Sequence, residues 1–222
     1  MMLPSRMEEG YRAFRAGRLL LEQSRYRELA TVGQSPETMV IGCCDSRVSP
    51  EVIFDARPGE LFVLRNIANL VPPYEPDSNR HGVSSALEFG VQALKVRHIV
   101  VLGHAQCGGV RAFAEDMAPL SPSDFIGHWM SLLAPAAEAL GPRGDMPLAE
   151  YLTRLEQASL SYTLTNLLTF PYVRRRVEAG ELMLHAAYFG VATGTLSVLD
   201  QATGEFRRVV PDDVRQSFAP RF

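Results

Sequence analysis

Hydrophobic and polar positions alternate between two rhythms along this chain. From Met7 to about Ala30, Tyr11, Phe14, Leu19, Leu20 and Leu21 are interleaved with charges at helical spacing, although Gly10 and Gly17 weaken the pattern. Gly33-Gln34-Ser35-Pro36 breaks it. Thr38–Cys43 and Leu61–Leu64 are short apolar runs of strand length, separated by a helical turn at Pro50–Phe54 and a turn at Arg57-Pro58-Gly59. A proline-rich loop follows from Val71 to Arg80. Ser84–Leu94 then carries Ala86, Leu87, Val91 and Leu94 on one helical side. His98–Gly103 is apolar almost throughout, as expected of a strand covered on both faces.

A further helix is expected from Gly108. Ser123 to Val177 reads as mainly helical, broken at Gly141–Gly144 and Pro171, and Arg174-Arg175-Arg176 reads as a solvated face or an intersubunit contact. Leu182–Ala187 and Thr195–Leu199 are late strands, and Asp200 to Gly204 suggests a closing hairpin. Strands alternating with helices predict an α/β fold: a mostly parallel central sheet flanked by helices on both faces.

Composition narrows the function classes. The 222 residues are 46% hydrophobic and 21% charged, which suits a globular chain with a real core. A net charge of -3 and a pI near 6.0 give no electrostatic footprint for nucleic acid. Leu19-Leu20-Leu21 is too short for a signal sequence or a membrane span, so a soluble, cytoplasmic protein with no membrane partner is expected. Three cysteines in such a chain argue against a structural disulfide.

Two segments fall at the carboxyl ends of expected strands: Cys43-Cys44-Asp45-Ser46-Arg47 and His104-Ala105-Gln106-Cys107-Gly108-Gly109. Sites in open α/β sheets form where neighbouring strands end, so Cys43, His104 and Cys107 could converge on one metal. Cys107 also lies just before a helix start, which favours its thiolate. Thiolates with imidazole favour zinc, and a set of three leaves a fourth tetrahedral position open. Spacing alone leaves two matters open: Cys43 against Cys44, and a metal site against buried thiols beside a satisfied histidine. Asp45 and Arg47, two residues apart, could orient a water at such a metal or could be an exposed ion pair. Of the other histidines, His98, His128 and His185 read as structural, and His81 lies in a polar loop as the candidate exposed proton carrier.

The paired motifs, with Pro58-Gly59-Glu60, Phe62, Arg65-Asn66-Ile67-Ala68-Asn69 and Ala86-Leu87-Glu88-Phe89 between them, resemble the β-class carbonic anhydrases from about Gln34 to Phe113. The resemblance implies one zinc per subunit on Cys43, His104 and Cys107, with Cys44 at a variable position. It implies Asp45 and Arg47 as a catalytic dyad, and reversible hydration of carbon dioxide to bicarbonate as the reaction. It also implies Gln34, Phe62, Ile67, Phe89 and Gly108 as substrate-binding residues, Gln34 acting across a subunit interface. Plant-like members carry Tyr where this chain has Phe89, and one subgroup has Trp where this chain has Val40, so inhibition at a second bicarbonate site is not expected. The same resemblance implies residues 1–222 as a single domain whose helical arm, 1–33, reaches over a partner in a homodimer or homotetramer. A sibling hydrolase of carbonyl sulfide or carbon disulfide on the same zinc, and a relative with structural zinc, are the alternative functions.

Overall fold

The computed structural model describes residues 3–77, 79–115 and 125–209. They fall into two compact units, the N-terminal helical segment up to Ser35 and the body Pro36–Val209. In the first unit, α1 (Ser5–Ala16) and α2 (Arg18–Val32) meet at Gly17, whose φ of -121° and ψ of -91° interrupt the helix. Phe14 and Tyr26 contact edge to face, and ion pairs Arg12–Glu8 and Arg18–Glu22 lie one turn apart along the helices. Neither helix buries a residue, and Leu20 and Leu21 are exposed. No described helix is long and apolar enough to cross a membrane.

The body is built on a six-stranded sheet in the order β2-β1-β3-β4-β5-β6. Its strands are β1 (Thr38–Cys43), β2 (Leu61–Asn66), β3 (His98–His104), β4 (Met183–Gly190), β5 (Thr195–Asp200) and β6 (Glu205–Arg208). The first four are parallel; β5 and β6 join antiparallel, through turns that include Gly194 and Gly204 at positive φ. The expected strands are all present, and four of them run one to three residues further than the apolar runs indicate.

Helices cover the two faces unequally. On one face, β1 and β3 bury Met39, Ile41, Ile99 and Val101 against α4 (Gly82–Glu88), α8 (Leu148–Leu167) and α9 (Pro171–Glu178). On the other, Val40, Leu102 and Ala187 pack with Ile53 and Phe54 at the short α3 (Pro50–Ile53). A third cluster caps the carboxyl ends of the strands, where α5 (Gly108–Ala114), α6 (Phe125–Met130), α7 (Ala134–Leu140) and α8 pack around Val110, Met130, Leu133 and Leu155. Buried leucines such as Leu133, Leu155 and Leu160 each contribute about 1.5–3 kcal/mol of apolar burial. Gly141, at positive φ, ends α7, and Pro171 opens α9 at its first turn. Ser123 and Asp124, at the start of the expected helical middle, lie outside the described residues.

The helix expected over Ser84–Leu94 is instead α4 followed by a π turn at Phe89–Ala93, closed by the Leu94 N–H on the Phe89 carbonyl at 3.0 Å. Gly90 lies inside the turn so close to the sheet that a Cβ there would sit 3.0 Å from Met39 Sδ and 3.3 Å from Phe62. Within the Arg174–Arg176 run, Arg176 donates to the Val91 carbonyl of this turn at 2.8 Å, tying α9 to it.

Candidate metal centre

Between β1 and β3 the sheet changes direction, because the chain passes from β1 to β2 on one side and reaches β3 on the other. Such switch points leave a crevice beyond the strand ends. The register, Gly42 beside Leu102, sets Cys43 and His104 at the mouth of that crevice. Gln106 then takes a left-handed conformation, φ 60°, and turns the chain back so that Cys107 precedes α5. As a result Cys43 Sγ, Cys107 Sγ and a His104 ring nitrogen lie within 4.8 Å of one another, all buried. Cys44, the other candidate, is exposed.

The donor set fits a soft divalent cation. His104 Nδ1 lies 3.0 Å from the Ala105 carbonyl, so the ring donates there and leaves the Nε2 lone pair free. That Nε2 is buried and has no hydrogen-bond partner among the described residues, an arrangement that a ligand ion resolves. The two sulfurs perturb one another in opposite directions. The neighbouring Cys107, aided by His104 and the N–H groups of Asp45 and Ala68, lowers the Cys43 thiol against the opposing effect of burial. The hydrogen bond to Cys43, burial and the charge on Cys43 push Cys107 upward. Burial favours neutral His104, but the Cys43 sulfur, the Ala105 carbonyl and Asp45 outweigh it and raise the imidazole.

Asp45 stands beside this cluster, its Oδ2 4.0 Å from His104 Nε2. Arg47 grips it at both oxygens: Nε and the backbone N–H donate to Oδ1 at 2.9 and 3.0 Å, and Nη2 donates to Oδ2 at 2.7 Å. This fork holds the carboxyl well below the usual carboxylate range, against a smaller effect of burial. Arg47 Nη2 also donates to the Gln106 carbonyl at 3.0 Å, which joins the two motifs directly. From β2, Arg65 donates to the carbonyls of Cys43 and Asp45 at 2.8 and 2.6 Å and braces the loop between them.

The other sequence-predicted residues divide into those at this centre and those away from it. Ile67 is here: a Cβ on Gly109 would lie 3.0 Å from its Cγ2, and its carbonyl accepts the Trp129 indole N–H at 2.9 Å. Gly108 opens α5 with nothing within 4 Å of where its Cβ would be, so the space beside its backbone is open. Phe62 and Phe89 contact each other at a tilt of 39°, with ring centroids 5.9 Å apart. Phe62 pairs in register with Met39, four residues back along the strand from the Cys43–Asn66 pair, which is about 13 Å of strand. Gln34 is an exposed residue of the first unit. His81 Nε2 is 2.6 Å from Asp77 Oδ1 in its loop.

Sequence reasoning missed Glu156. It is buried on α8, accepts the Cys107 backbone N–H at 2.9 Å on Oε1 and the Tyr188 hydroxyl at 2.6 Å on Oε2. Burial raises its carboxyl, and those two donors pull it back. The signal was available: Glu156 occupies the same helical phase as Leu160, Thr163 and Leu167, where a charged residue needs a buried partner.

Fold and centre together define an α/β protein with a two-cysteine, one-histidine cluster, able to hold a metal, at a sheet switch point. A family model described as carbonic anhydrase matches residues 38–196. The chain belongs to the β-carbonic anhydrase family and is an enzyme of that class. Among curated relatives, beta carbonic anhydrase 3 of Arabidopsis thaliana is 34% identical over 197 residues, 87% of this chain and 75% of the relative. Among solved structures, the β-carbonic anhydrase CcaA superposes with a TM-score of 0.85 at 26% identity, over 95% of this chain and 92% of that one. A tetrameric β-carbonic anhydrase from the ascomycete Sordaria macrospora gives a TM-score of 0.76 at 28% identity, over 88% and 96% of the two chains.

Proposed function

We propose that the chain catalyses the reversible hydration of carbon dioxide to bicarbonate and a proton, with one zinc ion per subunit on Cys43, His104 and Cys107. One observation carries this reading: two buried sulfurs and a buried, unpartnered imidazole nitrogen converge beside a carboxylate that a guanidinium keeps ionised. Thiolate with imidazole suits zinc, and three protein ligands leave the fourth position for water. Zinc bound there supplies a Lewis acid that makes water nucleophilic near neutral pH.

The chain's own residues do the rest. Both sulfurs must be deprotonated to hold the ion, so acid opposes its loading. Ionised Asp45 is an acceptor only. It takes the O–H of the attacking water and turns that water's lone pair toward the substrate carbon, while Arg47 prevents the carboxylate from rotating away. The space where a Gly108 Cβ would lie is open, which leaves room for a substrate oxygen beside its backbone N–H. Ile67 supplies an apolar wall for carbon dioxide. Phe62 and Phe89 lie away from their own cysteines, so in this reading they, like Gln34, complete the pocket of a partner subunit. A homodimer is then the smallest active unit, and α1 and α2, which bury nothing of their own, are the arm that forms it; the tetrameric Sordaria protein shows a relative in a larger assembly.

Stopped-flow hydration with a pH indicator, on protein of measured zinc content between about pH 6.5 and 9, tests the reading. Rapid turnover in proportion to zinc supports it. Zinc-loaded protein without hydration at any of those pH values overturns it and directs the assay to carbonyl sulfide.

A further inference from the structure

The peptide joining Gln106 to Cys107 is held on both edges. Its N–H donates to Glu156 Oε1 at 2.9 Å, and its carbonyl accepts from Arg47 Nη2 at 3.0 Å. The chain of contacts extends in both directions. Glu156 Oε2 accepts the Tyr188 hydroxyl at 2.6 Å, and Arg47 continues to Asp45 at 2.7 and 2.9 Å. Four parts of the fold therefore meet on one amide: α8 through Glu156, β4 through Tyr188, the turn after β3, and the turn after β1. Glu156 and Tyr188 are 4% and 8% exposed, so water does not substitute for these contacts. Gln106 holds φ 60°, a left-handed conformation that a non-glycine residue keeps only when its surroundings enforce it.

We propose that Glu156, braced by Tyr188, is a positioning residue for the Asp45–Arg47 pair, acting through the 106–107 peptide. The proposal rests on the reading above, in which that pair serves hydration. A carboxylate on the N–H edge of an amide draws electron density toward its carbonyl, which becomes a stronger acceptor for the guanidinium on the other edge. The same carboxylate fixes the plane of the peptide and so the direction in which its carbonyl points. Arg47 needs an anchor of this kind. Its side chain is 43% exposed and only two residues from Asp45, so without the Gln106 carbonyl the two could swing outward together as an ordinary surface ion pair. Glu156 touches neither substrate nor Arg47; it sets where Arg47 can stand.

The test uses Glu156→Gln, which preserves shape, and Tyr188→Phe, which retains the carboxylate and removes its brace. In the metal-free chain, nitrogen–proton correlation spectra should show the Arg47 Nε–H and the Cys107 amide displaced by either variant while the body of the spectrum stays in place. In zinc-loaded protein, Glu156→Gln should lower kcat/KM by about 10- to 100-fold at unchanged zinc content. The same substitution in an Arg47→Ala background should cost less than about threefold further, because its route to Asp45 is already gone. Two results overturn the proposal: an unmoved Arg47 Nε–H in both variants, or an undiminished Glu156→Gln effect in the Arg47→Ala background. If Glu156→Gln fails to fold, Tyr188→Phe decides the matter by the same resonances. A wild-type protein that holds zinc and hydrates nothing defeats the proposed function alone, since the spectra of the metal-free chain still decide the positioning role.

Discussion

Substituting Gly103 with alanine tests how closely α8 is pressed against the strand that ends in His104. A Cβ at Gly103 would lie 2.9, 3.0 and 3.1 Å from Cδ2, Cδ1 and Cγ of Leu160, inside the roughly 3.5–4.0 Å optimum for carbon pairs. Leu160 is 0% exposed and surrounded by core, so its side chain has nowhere to swing. Overpacking of this kind costs about 1–3 kcal/mol. For a chain of this length each kcal/mol lowers Tm by about 2–4 °C, so Gly103→Ala should melt roughly 2–12 °C early. Leu160→Ala alone removes a buried leucine and costs about 2–5 kcal/mol. In the double variant the new methyl fills part of that space, so the two costs should fall short of their sum by about 0.5–3 kcal/mol. Thermal melts followed by circular dichroism on the four metal-free proteins measure this directly. Equal cost of Gly103→Ala with and without Leu160, or no cost at all, would refute the packing argument. Activity should fall as well, because Leu160 lies one turn along α8 from Glu156 and Gly103 adjoins His104.

Three further outcomes are expected. Cys107→Ala should lose zinc and hydration together, which metal analysis beside a rate assay checks. Asp45→Asn should retain zinc and lose most turnover; a normal rate in that variant would remove Asp45 from the reaction. His185 lies 3.1 Å from His98 on the neighbouring strand, and burial first, then the His98 charge, lower its pKa. The unfolded chain therefore binds more protons than the folded one just below about pH 6.5, and stability present above that pH is lost as it falls toward the folded value. A His185→Gln variant should show a shallower drop in Tm between about pH 7.5 and 5, and an unchanged slope would count against the pair as its source.

The parallel sheet and the clustering of Cys43, His104 and Cys107 were legible because each depends on a local signal. Thr38–Cys43 and His98–Gly103 are apolar runs of strand length, and the motifs follow them directly. The preference for Cys43 over Cys44 came from the family resemblance; in the structure Cys43 is buried in the cluster and Cys44 is exposed. What escaped notice depends on contacts distant in sequence. The π turn at Phe89–Ala93 follows from how near Gly90 comes to Met39 and Phe62, which helical periodicity does not encode. Glu156 lies 49 residues beyond Cys107, and its partner Tyr188 is another 32 along the chain. Nor does residue spacing tell that Phe62 and Ile67, five apart on one strand and its exit, face different neighbourhoods.

The Trp129 indole, bonded to the Ile67 carbonyl, also provides an optical readout. It is the chain's single tryptophan, so all of the indole emission arises from one ring on α6, held against the turn at Ile67. If that turn opens, water replaces the carbonyl at the indole N–H and the emission shifts to the red. Breathing of the turn at Ile67 can thus be followed in the unlabelled protein, in real time and independently of turnover.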